Sequence, residues 1–206
     1  MALNIIMNPN AEYEKVMENN QMALVGREAI RDAYKDKDTY HEWGSGGSTL
    51  WHIQEQIEGD YDTQIIAVEH DMNWYNKIDK TVRDKYTDID EKTFWYLHKN
   101  GPGIQMQNGE LLNFVGTPIE EFPVYLTDYI EPPELDLSKI DVFLVDGLAR
   151  ACTMALLTIK AKVGATVFLH DIEGREEWYR FGTNLLETRS EVSYVYHNMV
   201  RYDIKE

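Results

Sequence analysis

The sequence predicts an α/β protein: a three-layer αβα sandwich, Rossmann-like, with a mainly parallel sheet between two layers of helices. Two observations carry this. Short β-like runs alternate with helical stretches, the order that builds parallel sheets. Three of the runs, Gln64–Glu69, Asp141–Asp146 and Gly164–Leu169, are almost unbroken apolar segments, as strands covered on both faces are. The chain has 206 residues, enough for one domain over 1–206 with its own core.

In chain order, residues 1–37 read as N-terminal helices, with Val25, Ala29 and Ala33 repeating at i+4. Thr39–Trp43 reads as a short strand that runs into Gly44-Ser45-Gly46-Gly47-Ser48-Thr49. A helix from about Thr49 to Gln56 follows, with Leu50, Ile53 and Ile57 on one face. After the Gln64–Glu69 strand, Asp71 caps a helix in which Trp74, Ile78 and Val82 recur. Phe94–His98 is the third strand. Residues 101–133 hold five of the six prolines and little periodicity, and read as an irregular lid with at most one helical turn, Val124–Tyr129. Beyond it, a helix behind the Asp141–Asp146 strand puts Leu148, Cys152, Ala155, Leu156 and Ile159 on one stripe. Another helix, Arg175–Glu187, aligns Trp178, Phe181 and Leu185. Cys152 and Trp178 read as core. The tail alternates Val192, Tyr194, Tyr196, turns at His197-Asn198, and alternates again through Val200, Tyr202 and Ile204, which is a hairpin.

Composition excludes several classes of function. Twenty Lys+Arg against 36 Asp+Glu give a net charge of −16, which repels phosphate backbones, so no nucleic-acid partner is expected. A single cysteine excludes an internal disulfide framework and multi-cysteine zinc sites. Apolar stretches stay under ten residues, and Met1–Met7 lacks a basic, extended leader, so a cytoplasmic protein with no membrane partner is expected.

The strongest functional signal is the glycine turn between strand and helix. Glycines let a ligand approach the backbone, and the amides opening the next helix make a polar cradle from Gly44, Ser45, Gly46, Ser48 and Thr49. The next strand ends in Glu69, 27 positions after Glu42, where an acid can accept both hydroxyls of a ribose. Together they describe a nucleoside-cofactor site. The dinucleotide fingerprint would need a third glycine where Thr49 stands, and a pyrophosphate has no use for Glu42. An acid there suits S-adenosylmethionine, which has a cationic amino-acid end and no phosphate.

The run YHEWGSGGSTLWHI…IIAVEHDMNWY resembles the first half of the class I S-adenosylmethionine-dependent methyltransferases. It is most similar to small enzymes with E-x-G-S-G-x-S-T and V-E-x-D-x-x-W motifs. DVFLVDGLAR…GATVFLHDIEGREEWY resembles the same group's V-D-G-x-x-R and H-D strand ends. The resemblance, over about 38–80 and 140–180, implies a seven-stranded sheet with an antiparallel C-terminal hairpin. It implies that Glu42, Gly44 and Gly46 line the methionine end, that Glu69 holds the ribose, and that His70 and Asp71 edge the adenine pocket.

Asp146 and His170-Asp171 end neighbouring strands, where open α/β sheets place their sites. Each could instead cap the helix that follows it. As a site they are the catalytic candidates, holding Mg²⁺ or another divalent cation, as some related O-methyltransferases do, or supplying a general base. An imidazole suits that second role because it titrates near neutral pH. Arg150 and Arg175 flank the strand ends as candidate readers of an acidic substrate. The expected activity is O-methylation of a small molecule or glycan, with a homodimer as the expected assembly. The alternatives are an NAD-dependent oxidoreductase and a non-catalytic nucleoside-binding protein.

Overall fold

A computed structural model of the chain describes residues 22–99, 104–107, 110–114 and 128–205. Its elements are α1 (Leu24–Tyr34), β1 (Thr39–Trp43), α2 (Gly47–Glu58), β2 (Gln64–Glu69), α3 (Met72–Lys85), β3 (Phe94–His98), β4 (Ile104–Gln107), β5 (Glu110–Phe114), β6 (Val142–Val145), α4 (Arg150–Lys160), β7 (Thr166–His170), α5 (Glu176–Glu187), β8 (Ser190–Tyr196) and β9 (Met199–Ile204). Seven strands form one sheet in the order β3-β2-β1-β6-β7-β9-β8. All neighbours from β3 to β7 are parallel, whereas β9 runs antiparallel to both β7 and β8. The expected three-layer fold with an antiparallel C-terminal hairpin is therefore present. Its strand order reverses between β1 and β6, which opens a crevice at their carboxyl ends.

Two apolar clusters cover the two faces of the sheet. Phe143, Val145, Val167 and Leu169 pack with Met154, Leu157 and Leu186 of α4 and α5. Tyr40, Ile65, Ala67, Leu144 and Phe168 pack with Ile30, Leu50, Ile53 and Ile78 of α1, α2 and α3. Residues adjacent along each strand thus enter opposite clusters, as the pleat requires.

Several expectations need correction. The stretch 101–133 is not free of strands, because β4 and β5 pair antiparallel inside it. Between them the sequence reads Asn108-Gly109, the strongest two-residue hairpin signal. A helical turn is present at 128–130, while most of the expected Val124–Tyr129 turn and most of 1–37 lie outside the described residues. On three helices the buried face is not the predicted one. α1 buries Gly26, Ile30 and Tyr34 instead of Val25, Ala29 and Ala33. α5 buries Tyr179, Gly182 and Leu186 and leaves Trp178, Phe181 and Leu185 outside. α4 buries Thr153, Met154 and Leu157, so Cys152 and Ile159 face solvent. Cys152 and Trp178 are therefore not core residues.

Glycine explains two of the three rotations. A Cβ on Gly182 would fall on the carbonyl oxygen of Ala151, so α5 meets α4 at backbone contact there. A Cβ on Gly26 would come within 2.8 Å of the Tyr196 ring. A close helix contact needs the residue without a side chain at its centre, and a count of apolar side chains overlooks it. Gly182→Ala should therefore lower stability by about 1–3 kcal/mol, the usual cost of overpacking. Gly26→Ala should cost less, because a side-chain end can shift where a carbonyl cannot; urea midpoints of the two variants check the order.

Candidate active site

The crevice contains a cavity of about 320 Å³ lined by Met22, the Gly44–Ser48 turn, Trp74, Asp146, His170 and Asp171. Two glycines shape its floor. Gly44 has φ +86°, and a Cβ on it would meet the Gly147 Cα at 2.7 Å. The loops leaving β1 and β6 thus touch backbone to backbone, tied by Asp146 N–H to the Trp43 carbonyl at 3.1 Å and Gly44 N–H to the Val68 carbonyl at 2.9 Å.

Behind the turn stand the two acids of the sequence motifs. Glu42 is fully buried and accepts from the Tyr40 hydroxyl at 2.8 Å and from the Thr49 hydroxyl. Thr49 Oγ1 in turn accepts from Gly46 N–H at 2.8 Å, so a side-chain relay runs from β1 to the start of α2. Glu69 is 4% exposed. One of its oxygens accepts from the Ser45 N–H and hydroxyl, both at 3.0 Å. The other accepts from the His70 and Asp71 amides at 2.8 and 2.9 Å, with His70 Nδ1 at 3.0 Å. Despite its burial, these donors, the His70 side chain first among them, hold the Glu69 carboxyl below its ordinary range. Ser45 also shares a hydrogen bond with the Tyr96 hydroxyl, and its carbonyl accepts from Trp74 Nε1 at 2.6 Å. Asp71 caps α3, as expected, through the Asn73 and Trp74 amides.

On the opposite wall, neither Asp146 nor His170-Asp171 caps a helix. The N-caps of α4 and α5 are Ala149 and Arg175, and neither makes a side-chain cap bond. The three residues converge with two arginines instead. Asp146 lies 3.0 Å from Arg150 and 3.0 Å from His170 Nδ1. Arg150 also reaches Asp171 at 3.7 Å and donates to the Tyr179 hydroxyl at 2.7 Å, while Asp171 pairs with Arg175. His170 is buried; its contact with Asp146 is close but not aligned as a hydrogen bond, and its Nε2 has no partner. Ala149 and Asp171 are both left-handed, at φ 58° and 62°. The side chains of Asp146, His170 and Asp171 do not stand as the expected divalent-cation centre. Among the described residues no three His, Cys, Asp or Glu side chains are arranged to hold a metal ion. The carboxylates are turned to guanidinium groups, which occupy the place a cation would take.

The sequence reading put Glu42, Thr49, Glu69, His70 and Asp71 among the cofactor residues, and the structure sets them behind or beside the cavity. Gly44, Ser45, Gly46 and Ser48 line it directly. Met22, Gly47 and Trp74 were missed. Trp74 had a signal: it stands one turn into the helix that follows the acid of β2, with its indole directed at the glycine turn. Met22 had none, since it reaches the crevice only through the fold.

No protein-family profile and no curated protein sequence matches the chain. Solved structures do match it in shape. A methyltransferase-like protein from Silicibacter pomeroyi superposes with a TM-score of 0.65 at 18% identity, over 90% of this chain and 88% of that one. An SAH-bound methyltransferase from Podospora anserina gives 0.57 at 12% identity, over 96% and 88%. A Klebsiella pneumoniae protein assigned as an O-methyltransferase gives 0.55 at 11%, over 98% and 93%. The chain has the fold of these methyltransferase structures. No helix among the described residues is long and apolar enough to cross a membrane.

Buried titratable groups of β1 and α2 give stability a pH dependence of defined sign. Burial pushes the Glu42 carboxyl from 4.5 up to about 8. Between those values the fold holds a proton that the unfolded chain has released, so stability falls as pH rises. Burial pushes His41 and His52 from 6.5 down to about 3. Below 6.5 the unfolded chain gains two protons that the fold refuses, so stability falls as pH drops. These terms place the maximum near pH 6.5. Glu42→Gln should flatten the decline from pH 6.5 to 8, a slope of at most about 1.4 kcal/mol per pH unit for one proton. Urea unfolding of both proteins across that range checks it.

Proposed function

We propose that the chain is an S-adenosylmethionine-dependent methyltransferase acting on an oxygen of a small molecule or glycan. The observation that carries this reading is the position of the His170 imidazole. It is buried at a strand end, its Nε2 has no partner, and the residue lines the same cavity as the Gly44–Ser48 turn. In this reading cofactor and base share that cavity of about 320 Å³. The fold shared with methyltransferase structures, one of them SAH-bound, supports the same cofactor.

S-adenosylmethionine would supply an electrophilic methyl group for in-line displacement. The chain's part is positioning, proton transfer and exclusion of water. In this reading Gly44, Ser45 and Gly46 receive the methionine end, with the Thr49–Glu42 relay fixing the turn. The ribose takes Glu69, which requires Ser45 to release the oxygen it now occupies. Trp74, against the same turn, walls the nucleoside. His170 would take the acceptor hydroxyl's proton at Nε2, which requires the buried ring to turn toward the cavity, with the Asp146 carboxylate 3.0 Å from Nδ1 to steady the imidazolium. Arg150 is committed to Asp146 and Tyr179, which leaves Arg175, at the outer edge of the network, to meet an acidic group on the substrate.

Calorimetry with S-adenosylhomocysteine and with NAD tests the class directly. Binding of the first and not the second is expected, and the reverse would mean an oxidoreductase. Glu69→Gln should weaken S-adenosylhomocysteine binding by about 1–3 kcal/mol, the range for hydrogen bonds to a charged group. The glutamine is the right probe because truncation would free the Ser45, His70 and Asp71 amides and disturb the loop itself. Unchanged affinity would place the ribose elsewhere. For the chemical step, His170→Asn should reduce kcat by about 10²–10⁴-fold, the range for a positioned general base, with S-adenosylhomocysteine affinity retained. Full activity in that variant would remove the imidazole from the reaction.

A further inference from the structure

The apolar stripes that α4 and α5 turn outward form one surface. Trp178 and Leu185 stand one turn to either side of Gly182, and Phe181 is its neighbour. Ala155 and Ile159 stand one and two turns beyond Ala151. Since Gly182 rests on the Ala151 backbone, the two stripes flank a single closed seam and form a plate whose spacing is fixed by the helix pair. Ile159 is 77% exposed, Phe181 68% and Trp178 52%. Residues of this size at i, i+3 and i+7 are what a helix carries on a face it buries.

We infer that this plate is the contact surface of a two-fold homodimer, α4 and α5 of one protomer packing on α4 and α5 of the other. Area argues for a protein surface of this kind. The exposed parts of Trp178, Phe181, Leu185 and Ile159 amount to roughly 400 Å², about half of the ~800 Å² each partner contributes to a stable interface, and apolar enough for its centre. Charge argues for a second copy. In a chain of net charge −16, the charged neighbours of the plate are engaged within the protomer, Arg180 with Glu177, Lys160 with Glu131, and Arg189 with the Thr158 carbonyl. The plate thus offers neither a basic patch for an anionic surface nor an unpaired acid for a basic partner. A second neutral apolar plate matches it, and a two-fold axis brings the same residues from both sides. A dimer formed here leaves the cavity open, because it uses the outer faces of helices whose first turns border the site.

Sedimentation velocity on the full chain across the micromolar range tests this. The expected species has twice the 24.0 kDa chain mass. Phe181→Asp should abolish it, leaving a single-chain species with unchanged circular dichroism, since the side chain makes little of the protomer's own core. Ile159→Asp, on the other helix, should do the same and guards against a local effect of the first change. A wild-type chain that sediments at 24.0 kDa throughout would overturn the proposal. Charged variants that remain dimeric would overturn it equally, by placing the contact on another face.

Discussion

The crevice depends on one close approach, the backbone contact between Gly44 and Gly147. A side chain at either position would push the β1 and β6 exit loops apart: at Gly147 it would strike the Tyr129 hydroxyl, and at Gly44 the facing backbone. β1 and β6 are the pair at which strand order reverses, so their loops leave toward opposite sides. With the loops in contact below, the diverging chains above enclose the cavity. Val68, Trp43 and Asp146 hold that contact with main-chain hydrogen bonds, and Tyr129 reinforces it by accepting from the Leu148 amide at 3.1 Å. Everything placed on the two loops, the glycine turn on one side and Asp146 on the other, inherits its position from there.

The two motif acids act first on the protein itself. Glu42 and Glu69 accept hydrogen bonds from the turn and its flanks, so the cradle is shaped before any ligand arrives. For Glu42 this demands burial without a counter-charge, and the carboxyl answers by retaining its proton into the neutral range. Glu69 stays ionised because four N–H and O–H donors surround it. Adjacent strands thus carry a neutral acid and a charged one. A polar ligand group that approaches Glu69 must replace Ser45 and does not meet an idle carboxylate, a feature that favours a ligand able to return two hydrogen bonds for two lost.

Strand-level information was legible in the sequence because buried parallel strands are nearly pure in composition. β2 and β3 fall where the apolar runs fall, and the terminal hairpin forms where its alternation predicts, although only β9 buries the alternate residues Val200, Tyr202 and Ile204, whereas Val192 and Tyr194 of β8 are exposed. Helix faces were less legible. The buried faces of α1 and α5 are displaced from the predicted ones by one residue, about 100° around the axis, since each includes a glycine that hydrophobicity does not mark. α4 is apolar nearly all round, so its period selects no face. At the site, strand ends announced Asp146, His170 and Asp171 correctly as neighbours, but not what they would face. Whether an acid points at a metal, a ligand or an arginine is decided by side chains from another helix, here Arg150 and Tyr179, which no local pattern reveals.

That pairing also links the site to the rest of the fold. Arg150 opens α4, reaches across to Tyr179 on α5, and holds Asp146 and Asp171 within its span. Next to it, Ala149 and Asp171 sit in left-handed backbone conformations that ordinarily cost about 1–3 kcal/mol each and persist only where surrounding contacts enforce them. Main-chain bonds from Thr153 N–H to the Ala149 carbonyl and from Asp171 N–H to the Asn198 carbonyl hold them, and Arg150 spans the same corner because the Gly182 contact brings α4 and α5 together. A shift of one helix against the other would stretch Arg150 between Asp146 and Tyr179 and loosen the wall of the cavity that carries His170. The geometry of the site is therefore set by two glycine contacts in series, one beneath the cavity between loops and one behind it between helices.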